Sequence, residues 1–179
     1  ERSGRYSKYV EDEVMLTVDT NKGIYCLAPT AEEAITSFVE NRVTSHKQLP
    51  VSFYQIGTKF RNEIRNRGYL YRGKEFLMFD LYSFDKDESG LDESYAVMKK
   101  AYNNIYDRLG LEYRIVKADT GAMGGTLSEE YQAVTDIGED TLVLCDKCDY
   151  AVNMEVAGNT IIPCDEEEKK MEMVETPHQ

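Results

Sequence analysis

Residues 51–84 read VSFYQIGTKFRNEIRNRGYLYRGKEFLMFDLYSF, and this run decides the fold. Val51 to Glu63 is rich in β-branched and aromatic residues and reads as a strand, as does Phe76 to Phe84. Arg65 to Gly73 between them is polar and contains glycine, the composition of a loop. Together they predict a long antiparallel hairpin with a basic tip. Alternation on the first strand puts Arg61 and Glu63 on one face. A guanidinium suits a phosphate oxygen, and a carboxylate two residues on can accept from an exocyclic amine. Across the hairpin, Phe76 offers a plane on which a base can stack, and Arg72 can reach a distal phosphate. That is a nucleotide site built without a P-loop. The same residues also read as a cross-strand ion pair on a solvated sheet face, and chemistry alone leaves both readings open.

Outward from the hairpin, Val14 to Asp19 and Ile24 to Leu27 alternate around Asn21-Lys22-Gly23 and predict a smaller hairpin. Thr30, with Glu33 three residues later, has the capping-box spacing and opens a helix through Ala34, Ile35, Phe38 and Val39. Ser89 or Asp92 caps the next helix. Its stripe of Leu91, Tyr95, Met98, Tyr102, Ile105, Tyr106 and Leu109 has core spacing, and Gly110 ends it. Glu112 to Lys117, Glu130 to Val134 and Thr141 to Cys145 read as strands, with a glycine-rich turn at 119–126. From Asp165 the chain is acidic and reads as a linker. Strands paired around a hairpin, with helices set apart, make the fold class α+β on an antiparallel sheet.

The chain has 179 residues and a formal charge of −12. An acidic protein is a poor general binder of nucleic acid. Between Asn41 and Glu75, however, eight bases (Arg42, Lys47, Lys59, Arg61, Arg65, Arg67, Arg72 and Lys74) meet two acids, Glu63 and Glu75. That window of +6 reads as a local polyanion site or as a solvated charged surface. Ordinary globular composition excludes collagen-like and wholly disordered classes. No apolar run approaches the roughly 20 residues that span a bilayer, so no membrane partner is expected. Four scattered cysteines read as reduced thiols of a cytoplasmic protein. Cys145-Asp146-Lys147-Cys148 is a lone C-x-x-C. A zinc site there would need Cys26 and Cys164, so Cys145 and Cys148 read first as thiols without metal.

Phe60-Arg61-Asn62-Glu63, the loop, and Arg72-Gly73-Lys74-Glu75-Phe76 resemble motif 2 of class II aminoacyl-tRNA synthetases. Leu27-Ala28-Pro29-Thr30-Ala31-Glu32-Glu33 resembles the T-P-T-x-E-E segment of their prolyl branch, bacterial type. Lys47-Gln48-Leu49-Pro50, Leu81-Tyr82-Ser83-Phe84-Asp85, Ala118-Asp119-Thr120-Gly121 and Asp149-Tyr150-Ala151 extend the similarity from Ser3 to about Gly158. The resemblance implies a class II antiparallel sheet flanked by helices, here in part, over residues 1–160. Residues 161–179 would lead toward an editing insertion.

By the same resemblance, Thr30 and Glu32 hold the imino group of proline and Met78 walls its ring. Arg61 bridges the substrate carboxylate and the α-phosphate of ATP. Glu63 reads the adenine amine, Arg72 meets the far phosphates and Phe76 stacks on adenine. Arg65 and Arg67 contact the acceptor end of tRNA(Pro). Implied with these are Mg²⁺ as cofactor and a homodimeric parent. Motif 1 should precede Glu1 and motif 3 should follow Gln179, so the chain reads as an internal catalytic piece, inactive alone. Where the family usually shows Ser-His-Glu-Phe, this chain has Ser128-Glu129-Glu130-Tyr131, and no role passes from that histidine. Three rivals stand beside this reading. One is a class II ligase for threonine, serine or glycine. Another is a non-catalytic paralogue that binds tRNA. The third is a zinc-dependent interaction module using the C-x-x-C.

Overall fold

The computed structural model describes residues 3–11, 14–66, 68, 70–121, 125, 127–136, 138, 140–145, 148–157 and 171–176. They fall into two compact units, 1–97 and 98–179. Antiparallel strands with separate helices make the fold α+β, as expected.

The first unit opens with helix α1, Arg5–Glu11, which the sequence reading left unassigned. Strands β1, Thr17–Thr20, and β2, Gly23–Cys26, form the small hairpin. Its turn is closed by Thr20, whose hydroxyl donates to the Gly23 carbonyl and accepts the Lys22 N–H. Helix α2 spans Glu32–Glu40. The long hairpin follows: β3, Val51–Phe60, pairs with β4, Glu75–Phe84, over ten rungs from Val51↔Phe84 to Phe60↔Glu75. Opposed residues share a face, so Phe53, Gln55, Gly57 and Lys59 lie beside Tyr82, Asp80, Met78 and Phe76. Phe38 of α2 meets Phe53 edge-on at 5.4 Å, which sets α2 over this inner face. The outer face carries Tyr54, Ile56, Leu77 and Phe79, all exposed, with the rings of Tyr54 and Phe79 stacked at 5.6 Å.

Helix α3, Glu88–Leu109, contains the boundary between the units. The second unit holds β5, Tyr113–Lys117, β6, Glu129–Ala133, β7, Asp140–Cys145, β8, Ala151–Asn153, and β9, Met171–Thr176. A four-residue helix, α4, Met154–Ala157, follows β8. Their sheet order is β6-β5-β8-β7-β9, antiparallel except for one parallel step between β5 and β8. Val116, Leu142 and Ala151 are its buried core. The rings of Tyr102, Tyr106, Tyr113 and Tyr131 cluster at centroid distances of 5.0–5.4 Å.

Four local expectations change. First, β3 ends at Phe60, because the Glu63 N–H turns back onto the Arg61 carbonyl, 2.8 Å away. Arg61 and Glu63 are therefore loop residues rather than strand partners. Second, the N-cap of α2 is Ala31 and no side chain caps it; the Thr30 hydroxyl is taken by Glu32 instead. Third, α3 starts at Glu88, with Asp87 Oδ1 accepting the Gly90 N–H at 2.9 Å, so the cap is Asp87 rather than Ser89 or Asp92. The stripe on α3 contains no buried residue, and Leu91, Tyr95, Tyr102, Ile105 and Leu109 are exposed. Fourth, residues 171–176, read within an acidic linker, form an edge strand paired with β7 from Asp140↔Thr176 to Cys145↔Met171.

Candidate functional site

The loop end of the long hairpin gathers most of the residues singled out by sequence. Arg61 leaves β3 with its N–H on the Lys74 carbonyl at 2.9 Å, one rung beyond the strand pairing. Its Nε donates to the Pro29 carbonyl at 3.1 Å, and its guanidinium lies 5.4 Å from the centroid of the Phe76 ring. The segment 28–32 is thereby fastened to the hairpin end. The Phe60 N–H, which donates to the Ala28 carbonyl at 2.9 Å, fastens it a second time. On that segment the Thr30 hydroxyl donates to Glu32 Oε2, so threonine oxygen and glutamate carboxylate sit together.

Glu63 and Arg72 also meet. Arg72 Nε lies 2.8 Å from Glu63 Oε2, and the Arg65 N–H donates to Glu63 Oε1 at 2.9 Å. The Arg65 N–H, followed by the hydrogen bond and charge of Arg72, holds the Glu63 carboxyl below its ordinary range against the opposing effect of burial. The ion pair weighed from sequence thus forms within the loop rather than across the strands, and its arginine is Arg72. Arg61 is left to Pro29 and Phe76. Met78 lies on the inner face directly opposite Gly57, two rungs from Asp80. Arg65 is exposed at the loop, and Arg67 lies outside the described residues.

Sequence reading missed a polar network beneath this segment. Tyr82 accepts the Ala31 N–H at 3.2 Å and donates to Asp80 Oδ2 at 2.6 Å. Asp80 also accepts from Gln55 Nε2 at 3.0 Å and from Lys59 Nζ at 3.0 Å. Lys59 is only 2% exposed, so its ammonium is a buried cation, matched by a part-buried carboxylate. Burial raises the Asp80 carboxyl, but hydrogen bonds from Tyr82, Gln55 and Lys59, with the Lys59 charge, bring it below its ordinary value. Burial, followed by the hydrogen bond to Asp80, pushes the Tyr82 hydroxyl up to about 12. The available signal was alternation, because Asp80 and Tyr82 continue the inner face of Phe76 and Met78. Tyr9, 3% exposed, was missed as well. Burial raises its hydroxyl, and the charges of Arg5, Glu32, Arg61 and Glu33 act on it, which puts it beside the same segment.

Cys145 and Cys148 lie elsewhere, in the second unit. They line an open groove of about 830 Å³ together with Lys99, Lys117, Glu129 and Tyr150. Cys164 lies outside the described residues. Among the described residues, no group of three or more His, Cys, Asp or Glu side chains is placed to hold a metal ion. Glu129, at the position where the resemblance departs from histidine, is paired with Lys99 at 2.9 Å. Among the described residues no helix is long and apolar enough to cross a membrane.

The family model of the tRNA synthetase class II core domain (G, H, P, S and T) matches residues 10–176. The proline–tRNA ligase of Nitratidesulfovibrio vulgaris is 51% identical over 164 residues, covering 92% of this chain and 28% of the relative. That of Halothermothrix orenii is 48% identical over 178 residues, covering 98% and 31%. The chain therefore spans less than a third of the length of these curated relatives. Among solved structures, the prolyl-tRNA synthetase of Cryptosporidium parvum complexed with L-proline and AMP superposes with a TM-score of 0.62 at 18% identity. That superposition covers 72% of this chain and 28% of that one, and the likeness is one of fold.

Proposed function

This chain belongs to the tRNA synthetase class II core-domain family, and on that premise we propose that it is the proline-activating core of a proline–tRNA ligase. The carboxylate of proline attacks the α-phosphorus of ATP, the bond to the bridging oxygen breaks, and pyrophosphate leaves. The terminal hydroxyl of tRNA(Pro) then attacks the carbonyl of prolyl-adenylate, and AMP leaves with the electron pair of the broken anhydride bond. No side-chain nucleophile is required, so the protein contributes position and charge. In this reading Arg61 bridges the carboxylate and the α-phosphate, and Arg72 meets the distal phosphates. Glu63 accepts from the adenine amine, and Phe76 stacks on the ring. Met78 walls the proline ring. The secondary ammonium of proline needs acceptors, and Thr30 with Glu32 supplies them. The Thr30 hydroxyl is held by both Glu32 and Tyr82, which fixes where its oxygen stands.

Mg²⁺ belongs to this proposal through ATP. The described side chains gather no set that would hold the ion by themselves, whereas Mg²⁺ is commonly held by substrate phosphates and water. Arg65 and Arg67 are assigned to the acceptor end of the tRNA, residues 1–160 to the catalytic core, and residues 161–179 to the lead into an editing insertion. A homodimeric, cytoplasmic parent completes the proposal. The observation that supports it most is the fastening of the Thr30–Glu32 pair to Arg61 through Pro29.

The test is amino-acid-dependent ATP–pyrophosphate exchange by the longest natural chain that carries this segment. Proline, alanine, cysteine, threonine, serine and glycine are compared. Proline should lead, and Arg61→Ala should reduce exchange by at least a hundredfold. Exchange led by another amino acid would move the assignment within class II. A folded chain with no exchange, or near-normal exchange by Arg61→Ala, would overturn it.

A further inference from the structure

The part-buried chain from Lys59 through Asp80 to Tyr82 is joined by the Thr30 side chain and reaches one backbone group, the N–H of Ala31. That group lies between Thr30 and Glu32, the two side chains assigned to the proline ammonium. We propose that Tyr82 is a positioning residue for the amino-acid pocket: its hydroxyl, oriented by Asp80, Gln55 and Lys59, fixes the backbone from which Thr30 and Glu32 project. This inference rests on the function proposed above.

Three observations carry it. Ala31 is the N-cap of α2, it is 5% exposed, and no side chain caps the helix. The N–H of this buried residue needs an acceptor, and Tyr82 supplies one across 51 residues of sequence. Tyr82 is itself constrained. Asp80 Oδ2 takes its proton at 2.6 Å, so its lone pairs turn toward Ala31. Asp80 in turn is held on both oxygens, by Gln55 and by a Lys59 ammonium that has almost no access to water. A buried ion pair adds little to net stability, because desolvation offsets the attraction. What this pair does is fix the direction of one hydroxyl. The network reaches the amino-acid side of the site; the nucleotide residues Glu63 and Arg72 are paired with one another on separate contacts.

This asymmetry makes the inference testable by a split between two Michaelis constants. In ATP–pyrophosphate exchange by the longest natural chain carrying this segment, Tyr82→Phe keeps the ring and removes only the hydroxyl. The KM for proline should rise about tenfold, the loss of one such hydrogen bond, while the KM for ATP stays within about twofold. Asp80→Asn, which keeps the shape but weakens the orientation of Tyr82, should raise the proline KM in the same direction and by less. It serves as the second variant if Tyr82→Phe does not fold. Equal changes in both constants would mean a general structural role, and no change in the proline constant would mean no role; either result overturns the inference and leaves the proposed function standing. If the wild-type chain shows no proline-dependent exchange, both fall together.

Discussion

Glu63 holds two commitments at once, to the Arg65 N–H and to the Arg72 guanidinium. The backbone bond is the larger influence on its carboxyl, with Arg72 acting after it. Because the folded value lies below the ordinary 4.5, the stabilisation from this group is complete above that pH. It is lost as pH falls from 4.5 through the folded value. Arg72→Ala should therefore move the Glu63 carboxyl upward but leave it below 4.5, since the Arg65 N–H remains. Carboxyl titration followed by NMR measures this directly. A full return to 4.5 would show that the ion pair, and not the turn, holds the charge. The same turn explains why Glu63 was misplaced by alternation. A backbone that folds back within three residues has no strand period, and Asn62, a turn-favouring residue at its centre, is the one local signal of it.

Helix α3 shows which element signals survive into the structure. Gly110 was read as its stop, and it is one: its φ is +68°, a region that side chains other than glycine enter at a cost. The Leu111 N–H reaches the Tyr106 carbonyl at 3.3 Å and the Gly110 N–H reaches that of Asp107 at 3.1 Å, the paired closure of a Schellman motif. A Cβ at Gly110 would meet nothing within 4 Å, so the cost of adding one is conformational rather than steric. Gly110→Ala should lower stability by about 1 kcal/mol, and Gly110→Asn by less, because asparagine tolerates this region better. Urea midpoints at constant slope would measure it. An unchanged midpoint for the alanine variant would mean that this helix end does not contribute to the cooperative unit. Signals of this local kind were legible, as was the long hairpin, whose period of two runs through ten rungs. The start of α2 was not, because its N-cap is an alanine whose N–H is taken by Tyr82, and only tertiary structure brings Tyr82 there. Nor was β8, whose three residues are too few to show a period and whose place is set by Val143 and Lys117 on its two sides.

At the scale of the whole molecule, the charge map drawn from sequence changes once the pairs are known. The window of +6 contains Lys59, which is buried against Asp80, and Arg72, which is neutralised by Glu63. Lys74 donates to the neutral Asn62 side chain and keeps its charge. Arg61 is held by Pro29 and Phe76, in the position assigned to phosphate. Of the described bases in the hairpin loop, Arg65 and Lys74 are exposed, and Arg65 is the one that the proposal gives to tRNA; its backbone, not its side chain, serves Glu63. In a chain of net charge −12 such a local contact must act against a repulsive surround, and salt screens its attraction beyond about a Debye length. One charge-to-phosphate contact with a single strand contributes about 0.7 to the slope of log affinity against log salt concentration. Arg65→Ala in the longest natural chain should reduce the tRNA-binding slope by about that amount, while proline-dependent pyrophosphate exchange, measured without tRNA, should stay unchanged. A slope that does not move would remove Arg65 from the acceptor contact. A parallel loss of exchange would mean that the Arg65 side chain also sustains the Glu63 turn, and would join the tRNA end of the loop to the adenine end.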